Sequence, residues 1–339
     1  MYFLAGDLGG TKTLLSVFEL NDKNQVHILF EKRYISKNYL QFDDLLNDFF
    51  NQEKVKSYNI HTACLVVAGA VFSKSQQKIA KITNLPWQLN QSLLAEKFNL
   101  KKLKILNDFQ GIGFGIPALV DKDTICLQKG QRQKNACCVI IGAGTGLGEA
   151  VLIQNTQPPQ VIPSEGGHTG FAPETAQQRD LLAYLQIKYP RVTYEHLLSG
   201  RGIYNIYQFL CDSQTIKSQN IIDKFPQQDP AVTISQHALA QTDALCNETL
   251  ALFCQIYASQ AANLALTCLA YGGVYIAGGI AVKNLSYFQS PNFMQAFLAK
   301  QPMTHLLEKM PVHVISNENV GLLGAIEQAK YQANNNSSL

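Results

Sequence analysis

The chain has 339 residues, 46% hydrophobic and 16% charged, with a net charge of +3. This is a globular composition with room for about two domains. The charge is too small and its basic residues too scattered for a nucleic-acid surface; LKKLK at 100–104 reads as a solvated segment. No apolar run reaches the roughly 18 residues of a membrane helix, and no secretory segment opens the chain. The eight cysteines form no C-x-x-C pair. Cys137, Cys138 and Cys268 sit in apolar runs, so a reduced cytoplasmic enzyme is expected. The final NNNSSL reads as a disordered tail.

Strand signals open the chain in YFLAGD, TLLSVFEL and VHILFEKRYI. FDDLLNDFFNQ spaces its apolar residues as a helix does. TACLVVAGAV reads as one buried strand ending in small residues, SLLAEKF as a short helix, and LKILND as another strand. ACCVIIGAGTGLGEAVLI, residues 136–153, repeats the opening pattern of apolar run, glycine turn and apolar run. Two such units, each opening a β/α region, point to a duplicated architecture. A long helix follows at 243–270, then the strand GGVYIAGGI, the strand VHVIS and a closing helix in NVGLLGAIEQAKYQ. No low-complexity linker separates two domains, so they are expected to pack closely and share a cleft.

The glycine turns have several readings. A P-loop needs Gly-Lys before Ser or Thr, and the chain has no Gly-Lys. The dinucleotide fingerprint fails because Leu147 stands where its third glycine belongs and a returning strand follows. The HRD and DFG sets of protein kinases are missing. What remains is a turn whose backbone N–H groups can hold an anion, where a Cβ would keep phosphate away. DLGGT is either that or a plain hairpin; GAGTGLG has more glycine than a hairpin needs. Thr11 and Thr145 stand where a hydroxyl can add a phosphate bond. Asp7 would repel phosphate unless a cation intervenes, so its roles are water-mediated Mg²⁺ contact or capping of the turn.

Asn107 and Asp108 end an apolar strand, where a carboxylate caps a following helix or does chemistry. Glu165 and His168 flank Gly166-Gly167, too close for one helix face, on a loop that either points both at a ligand or is a solvated turn. A metal pair lacks a third ligand. Glu195 alone reads as a helix-surface acid. Together these five side chains suit a polyhydroxyl ligand, and one carboxylate can take a proton from a hydroxyl attacking ATP.

GDLGGTK, LND, GAGTGLG, EGGH, E-x-x-L-S-G-x-G at 195–202, GGVYIAGG and NVGLLGA occur in one order over residues 2 to about 330. In this the chain resembles bacterial ATP-dependent glucokinases of the enterobacterial type, within the hexokinase–actin–chaperone ATPase superfamily. The resemblance implies two actin-like (ribonuclease H-like) α/β domains flanking a central cleft. One would be 1–110 plus 318–339, completed by the C-terminal helix, and the other 111–317. It implies phosphorylation of glucose at the 6-hydroxyl, with ATP and Mg²⁺ as cofactors, in a cytoplasmic homodimer that binds no nucleic acid or membrane. Gly9, Gly10 and Thr11 match the first phosphate loop, and Asp7 its Mg²⁺-linked acid. Gly142, Gly144, Thr145 and Gly146 match the second phosphate loop, and Gly278 and Gly279 the adenosine turn. Asn107, Asp108, Glu165, His168 and Glu195 match the glucose set, with Asp108 as base.

Lys12 stands where many close relatives have Asn. Lysine there occurs in the sugar-kinase group that contains repressors, but that group's cysteine-rich zinc motif is missing, so no structural zinc is expected. VFSKSQQKIAKITNLPW is unusually basic, and its Asn84 is a further residue expected near the sugar. The alternatives are a kinase for mannose, fructose or an N-acetylated hexosamine, or a non-catalytic sugar sensor. The first glycine turn begins at residue 6, leaving no room ahead of it for the DNA-binding domain of a repressor.

Overall fold

The structure, a computed structural model, describes residues 1–74, 77–214, 221, 225 and 227–334. The end of the NNNSSL tail, from residue 335, therefore lies outside the described residues. Two compact units form. The first takes Met1–Val120, Pro158–Pro163 and Asn317–Leu339, and the second Asp121–Gln157 and Ser164–Ser316.

In the first unit β1 (Tyr2–Leu8), β2 (Lys12–Leu20) and β3 (Val26–Ile35) form a meander, followed by α1 (Phe42–Phe50). Then come β4 (Ile60–Val67), β5 (Gly69–Lys74), β6 (Gln77–Ile82), β7 (Gln88–Asn90), α2 (Gln91–Lys97), β8 (Lys102–Asn107) and α3 (Asp108–Gly115). The main sheet has the order β3-β2-β1-β4-β8. Strands β1, β4 and β8 are parallel, so their carboxyl ends share one edge. Leu4, Leu8, Leu15, Leu65 and Phe49 fill the core beside it.

TACLVVAGAV is not one strand. It breaks after Val67, and β5 starts a separate sheet of order β5-β6-β7. Gly69 makes the break possible, because a side chain there would strike the Lys81 carbonyl across the β5–β6 pair.

The second unit contains β9 (Thr124–Gln128), β10 (Cys138–Ala143) and β11 (Leu147–Ile153). The chain then passes through β12 (Gln160–Ser164), which up to Pro163 is counted with the first unit, and the second unit resumes with α4 (Ala176–Gln186), α5 (Gly200–Gln214), α6 (Pro230–Leu239) and α7 (Ala244–Cys268). After β13 (Gly273–Ala277) come α8 (Gly279–Lys283), α9 (Leu285–Phe288), α10 (Pro291–Leu298), α11 (Thr304–Leu307) and β14 (Val312–Ile315). Within this unit the strands run β11-β10-β13-β14-β9. Helix α7 is apolar nearly all round because it is the buried axis of the unit. Its Tyr257 hydroxyl donates to the Ile141 carbonyl at 3.1 Å.

The closing helix α12 (Val320–Asn334) returns to the first unit and packs on α3 through glycines. A side chain at Gly324 would meet the Gly111 carbonyl, and one at Gly115 the Val320 carbonyl. No described helix is long and apolar enough to cross a membrane.

Candidate active site

The first glycine turn is a tight hairpin. Leu8 faces Thr13, and the Gly9 N–H donates to the Lys12 carbonyl at 2.9 Å. The Ser36 hydroxyl donates to the Gly9 carbonyl at 2.7 Å, and the Ser36 N–H to the Thr11 carbonyl at 3.0 Å. Gly10 has a structural reason: a Cβ there would lie 2.7 Å from the Thr83 carbonyl oxygen and 3.7 Å from the Asn84 Cβ. Asn84 itself holds a left-handed φ of 63°, which Asn tolerates better than most residues. The expectation that places it by the sugar therefore meets it against the first glycine turn. Thr11 and Lys12 are exposed.

Asp7 and Asp108 belong to the same edge of the first sheet, at the carboxyl ends of β1 and β8. Burial and then the charge of Asp108 raise the Asp7 pKa to about 6. Gly321, in the first turn of α12, leaves room for Asp7; a Cβ there would lie 2.8 Å from Oδ2. Asn107, rather than Asp108, caps α3. Its Oδ1 accepts from the Gln110 N–H at 2.7 Å, and Gln110 Oε1 accepts in return from the Asn107 N–H. Asp108 is the first helical residue, with Oδ1 accepting from the Phe109 N–H at 3.1 Å.

In the second unit Gly142 pairs with Gly148 and Ala143 with Leu147, and the Gly144 N–H donates to the Gly146 carbonyl at 2.8 Å. The first residue of α5 is tied to this turn by a 2.9 Å bond from the Gly200 N–H to the Gly144 carbonyl. Among the described residues, nothing lies within 4 Å of a Cβ built on Gly144 or Gly279. No packing among the described residues requires glycine at either position, which is what a ligand's close approach would leave. Gly278 has an internal reason, with φ at 89° and its Cβ position 2.5 Å from the Ala143 carbonyl. Since β10 and β13 are adjacent and parallel, the second phosphate turn and the Gly278-Gly279 turn are brought together.

Glu195 is not a helix-surface acid. It lies in a short 3₁₀ turn, Tyr194–His196, and its Oε2 accepts from the Leu147 N–H at 3.1 Å. Its Oε1 is 3.6 Å from the Arg201 guanidinium. Glu165 and His168, expected on a loop that points both at a ligand or on a solvated turn, come near each other. Gly166–His168 is a 3₁₀ turn, which brings Glu165 Oε2 to 3.9 Å from His168 Nε2. Both side chains are largely exposed, Glu165 at 90%.

Glu149 was not anticipated. It is buried on β11, accepts from Gln260 Nε2 at 2.8 Å, and has its pKa raised by burial, partly offset by that bond. The signal was present, since Glu149 has the strand parity of inward-facing Leu147. Among the described residues no group of three or more His, Cys, Asp or Glu side chains could hold a metal alone.

The glucokinase family model matches residues 4–332. The chain is 40% identical to the glucokinase of Trichormus variabilis over 336 residues, which is 95% of this chain and 97% of that one. It is 35% identical to the glucokinase of Synechocystis sp. over 345 residues, covering 95% and 96%. Among solved structures, a glucokinase from an Antarctic psychrotroph superposes with a TM-score of 0.85 at 28% identity, covering 97% of this chain and 98% of that one. The fold is that of the two-domain actin-like sugar kinases, and the chain belongs to the glucokinase family.

Proposed function

We propose that this chain transfers the γ-phosphoryl group of ATP to the 6-hydroxyl of D-glucose, giving glucose 6-phosphate and ADP. Membership of the glucokinase family supports the activity. The observation that carries the residue assignment is the pair of turns with glycines that the chain's own packing does not require, Gly144 and Gly279, at the carboxyl ends of neighbouring parallel strands. The space over these glycines lets the phosphates and adenosine moiety of the nucleotide approach the two turns closely, although the Gly144 N–H itself is taken by the Gly146 carbonyl. Gly9, Gly10 and Thr11 form the matching turn in the first unit.

In this reading Asp108 accepts the proton of the 6-hydroxyl as that oxygen attacks the γ-phosphorus. The bond from phosphorus to the β,γ-bridging oxygen breaks, and ADP leaves. Asn107, Glu165, His168 and Glu195 hold the other sugar hydroxyls, being hydrogen-bond donors and acceptors. Asp7 is suited to a Mg²⁺ ion held mainly by phosphate and water, because such an ion needs only one or two carboxylates. The charge of Asp108 already bears on Asp7, an arrangement a cation relieves. When bound, Mg²⁺ offsets the charge of the phosphates. The reading includes a cytoplasmic homodimer, for which light scattering of the purified chain is the test of assembly.

The experiment is ADP release with glucose, mannose, fructose and N-acetylglucosamine in turn. Glucose should give the largest kcat/KM, and ADP release without sugar should be weak, because binding energy of the sugar drives closure against water. A larger kcat/KM for another hexose, or brisk hydrolysis without sugar, contradicts the reading.

A further inference from the structure

The EGGH loop rests on a buried acid. Gly166 lies over Glu149 so closely that a Cβ would run into Glu149 Oε2, and Gly167 lies over the Leu147 carbonyl in the same way. The loop is therefore seated directly on β11. The Gly166 N–H donates to Ser164 Oγ at 2.9 Å.

From Glu149 a chain of side-chain hydrogen bonds leads to the second sugar-type element. Glu149 Oε1 accepts from Gln260 Nε2 at 2.8 Å, and Gln260 Oε1 accepts from Asn263 Nδ2 at 3.3 Å. The same Asn263 amide donates to the Tyr194 hydroxyl at 3.2 Å. Tyr194 precedes Glu195, and its N–H donates to the Thr169 carbonyl at 3.1 Å, closing the path back to the EGGH loop. Gln260 and Asn263 are three apart on α7, the most buried helix of the unit. The exposed EGGH loop, seated on Glu149, and the largely buried Tyr194–Glu195 turn, bonded to Asn263, are thus tied to one helix by one connected hydrogen-bond path.

We propose that Glu149 is a positioning residue, which sets the Glu165–His168 turn and the Tyr194–Glu195 turn in their sugar-binding arrangement. Glu149 touches neither substrate, and the proposal rests on the sugar-binding reading above. Burying a carboxyl group on a strand beside apolar Ala150 and Leu152 is costly unless it is hydrogen-bonded, and its bond to Gln260 makes it part of a network that holds the two turns in one arrangement.

The test uses the full chain with Glu149→Gln, Glu149→Ala, Gly166→Ala and the double variant Glu149→Ala/Gly166→Ala. Glucose KM, MgATP KM, kcat, glucose affinity by calorimetry and the unfolding midpoint are measured for each. Glu149→Ala should raise glucose KM at least tenfold and leave MgATP KM within twofold. Glu149→Gln keeps an acceptor for Gln260 and should stay within about threefold of the parent. Gly166→Ala should also raise glucose KM. In the double variant the shortened side chain leaves room for the new methyl, so the rise should be smaller than the product of the two single effects.

The proposal is overturned if Glu149→Ala leaves glucose KM within twofold, if the glucose and MgATP constants move together, or if the two single effects multiply. Should Glu149→Ala fail to fold, the glucose KM of Gly166→Ala decides the matter in the same way. A parent chain that phosphorylates no hexose overturns the functional reading itself. An active parent with unmoved variants overturns only the role of Glu149.

Discussion

Asp7 is held under the negative charge of Asp108. The two acids stand at the carboxyl ends of β1 and β8, parallel strands separated by β4 in one sheet. Burial and that charge together raise the Asp7 pKa to about 6 from an ordinary 3.8.

The sign of this shift predicts how stability depends on pH. A carboxyl whose folded pKa is raised is best tolerated protonated. Its contribution is therefore fully present below about pH 4 and is lost as pH rises through about 6. Without divalent cations, Asp7→Asn should be more stable than the parent at pH 7.5 by about 2 kcal/mol, because the parent must ionise a buried carboxyl beside Asp108 and the amide need not. The gap should close near pH 4. Urea unfolding at a series of pH values measures it, and a gap of the same size at pH 4 and 7.5 would count against the account. Asp7→Asn should also lose most kinase activity.

Asp108→Asn removes the base and keeps the side chain's shape. Its kcat should fall by about 10²–10⁴, or roughly 3–5 kcal/mol of transition-state stabilisation. Glucose affinity by calorimetry should change much less, because an amide still bonds a hydroxyl. A variant that turns over near the parental rate would move the base elsewhere.

Gly144→Ala separates ligand from fold. No atom of the described residues lies within 4 Å of the new methyl, so the unfolding midpoint should stay level or rise slightly. The MgATP KM should rise about tenfold or more, because the methyl occupies space reserved for phosphate. Unchanged nucleotide kinetics would remove the second turn from the phosphate site.

Gly324→Ala tests the packing of α12 on α3. The new methyl meets the Gly111 carbonyl, a backbone atom that cannot rotate away. The loss should reach about 3 kcal/mol, at the upper end of overpacking costs, in denaturant unfolding. A neutral result would mean that the two helices approach less closely than described.

The β-meander and the long helix α7 were legible because their signals are local: apolar runs flanking DLGGT, and 25 residues that are mostly apolar or small with no Gly or Pro among them. The sheet of β5, β6 and β7 was not. TACLVVAGAV is continuously apolar or small, and the turn that splits it depends on Lys81, twelve residues from Gly69. The candidate site divides in the same way. Motif glycines and acids could be named from order and spacing. That Asn107 rather than Asp108 caps α3, that Glu195 holds the Leu147 N–H, and that Glu165 meets His168 are matters of side-chain direction, which spacing does not carry. Glu149 was readable by strand parity, but its consequence depends on Gln260, 111 residues away.

The central claim is hexose phosphorylation with glucose as the preferred acceptor and Asp108 as the base. The most direct measurement is a coupled ADP-release assay of the parent chain and Asp108→Asn across the hexose panel at saturating MgATP. The account predicts the highest kcat/KM for glucose, weak release without sugar, and loss of about two orders of magnitude or more in Asp108→Asn. Preference for another hexose, or undiminished turnover in Asp108→Asn, would contradict it.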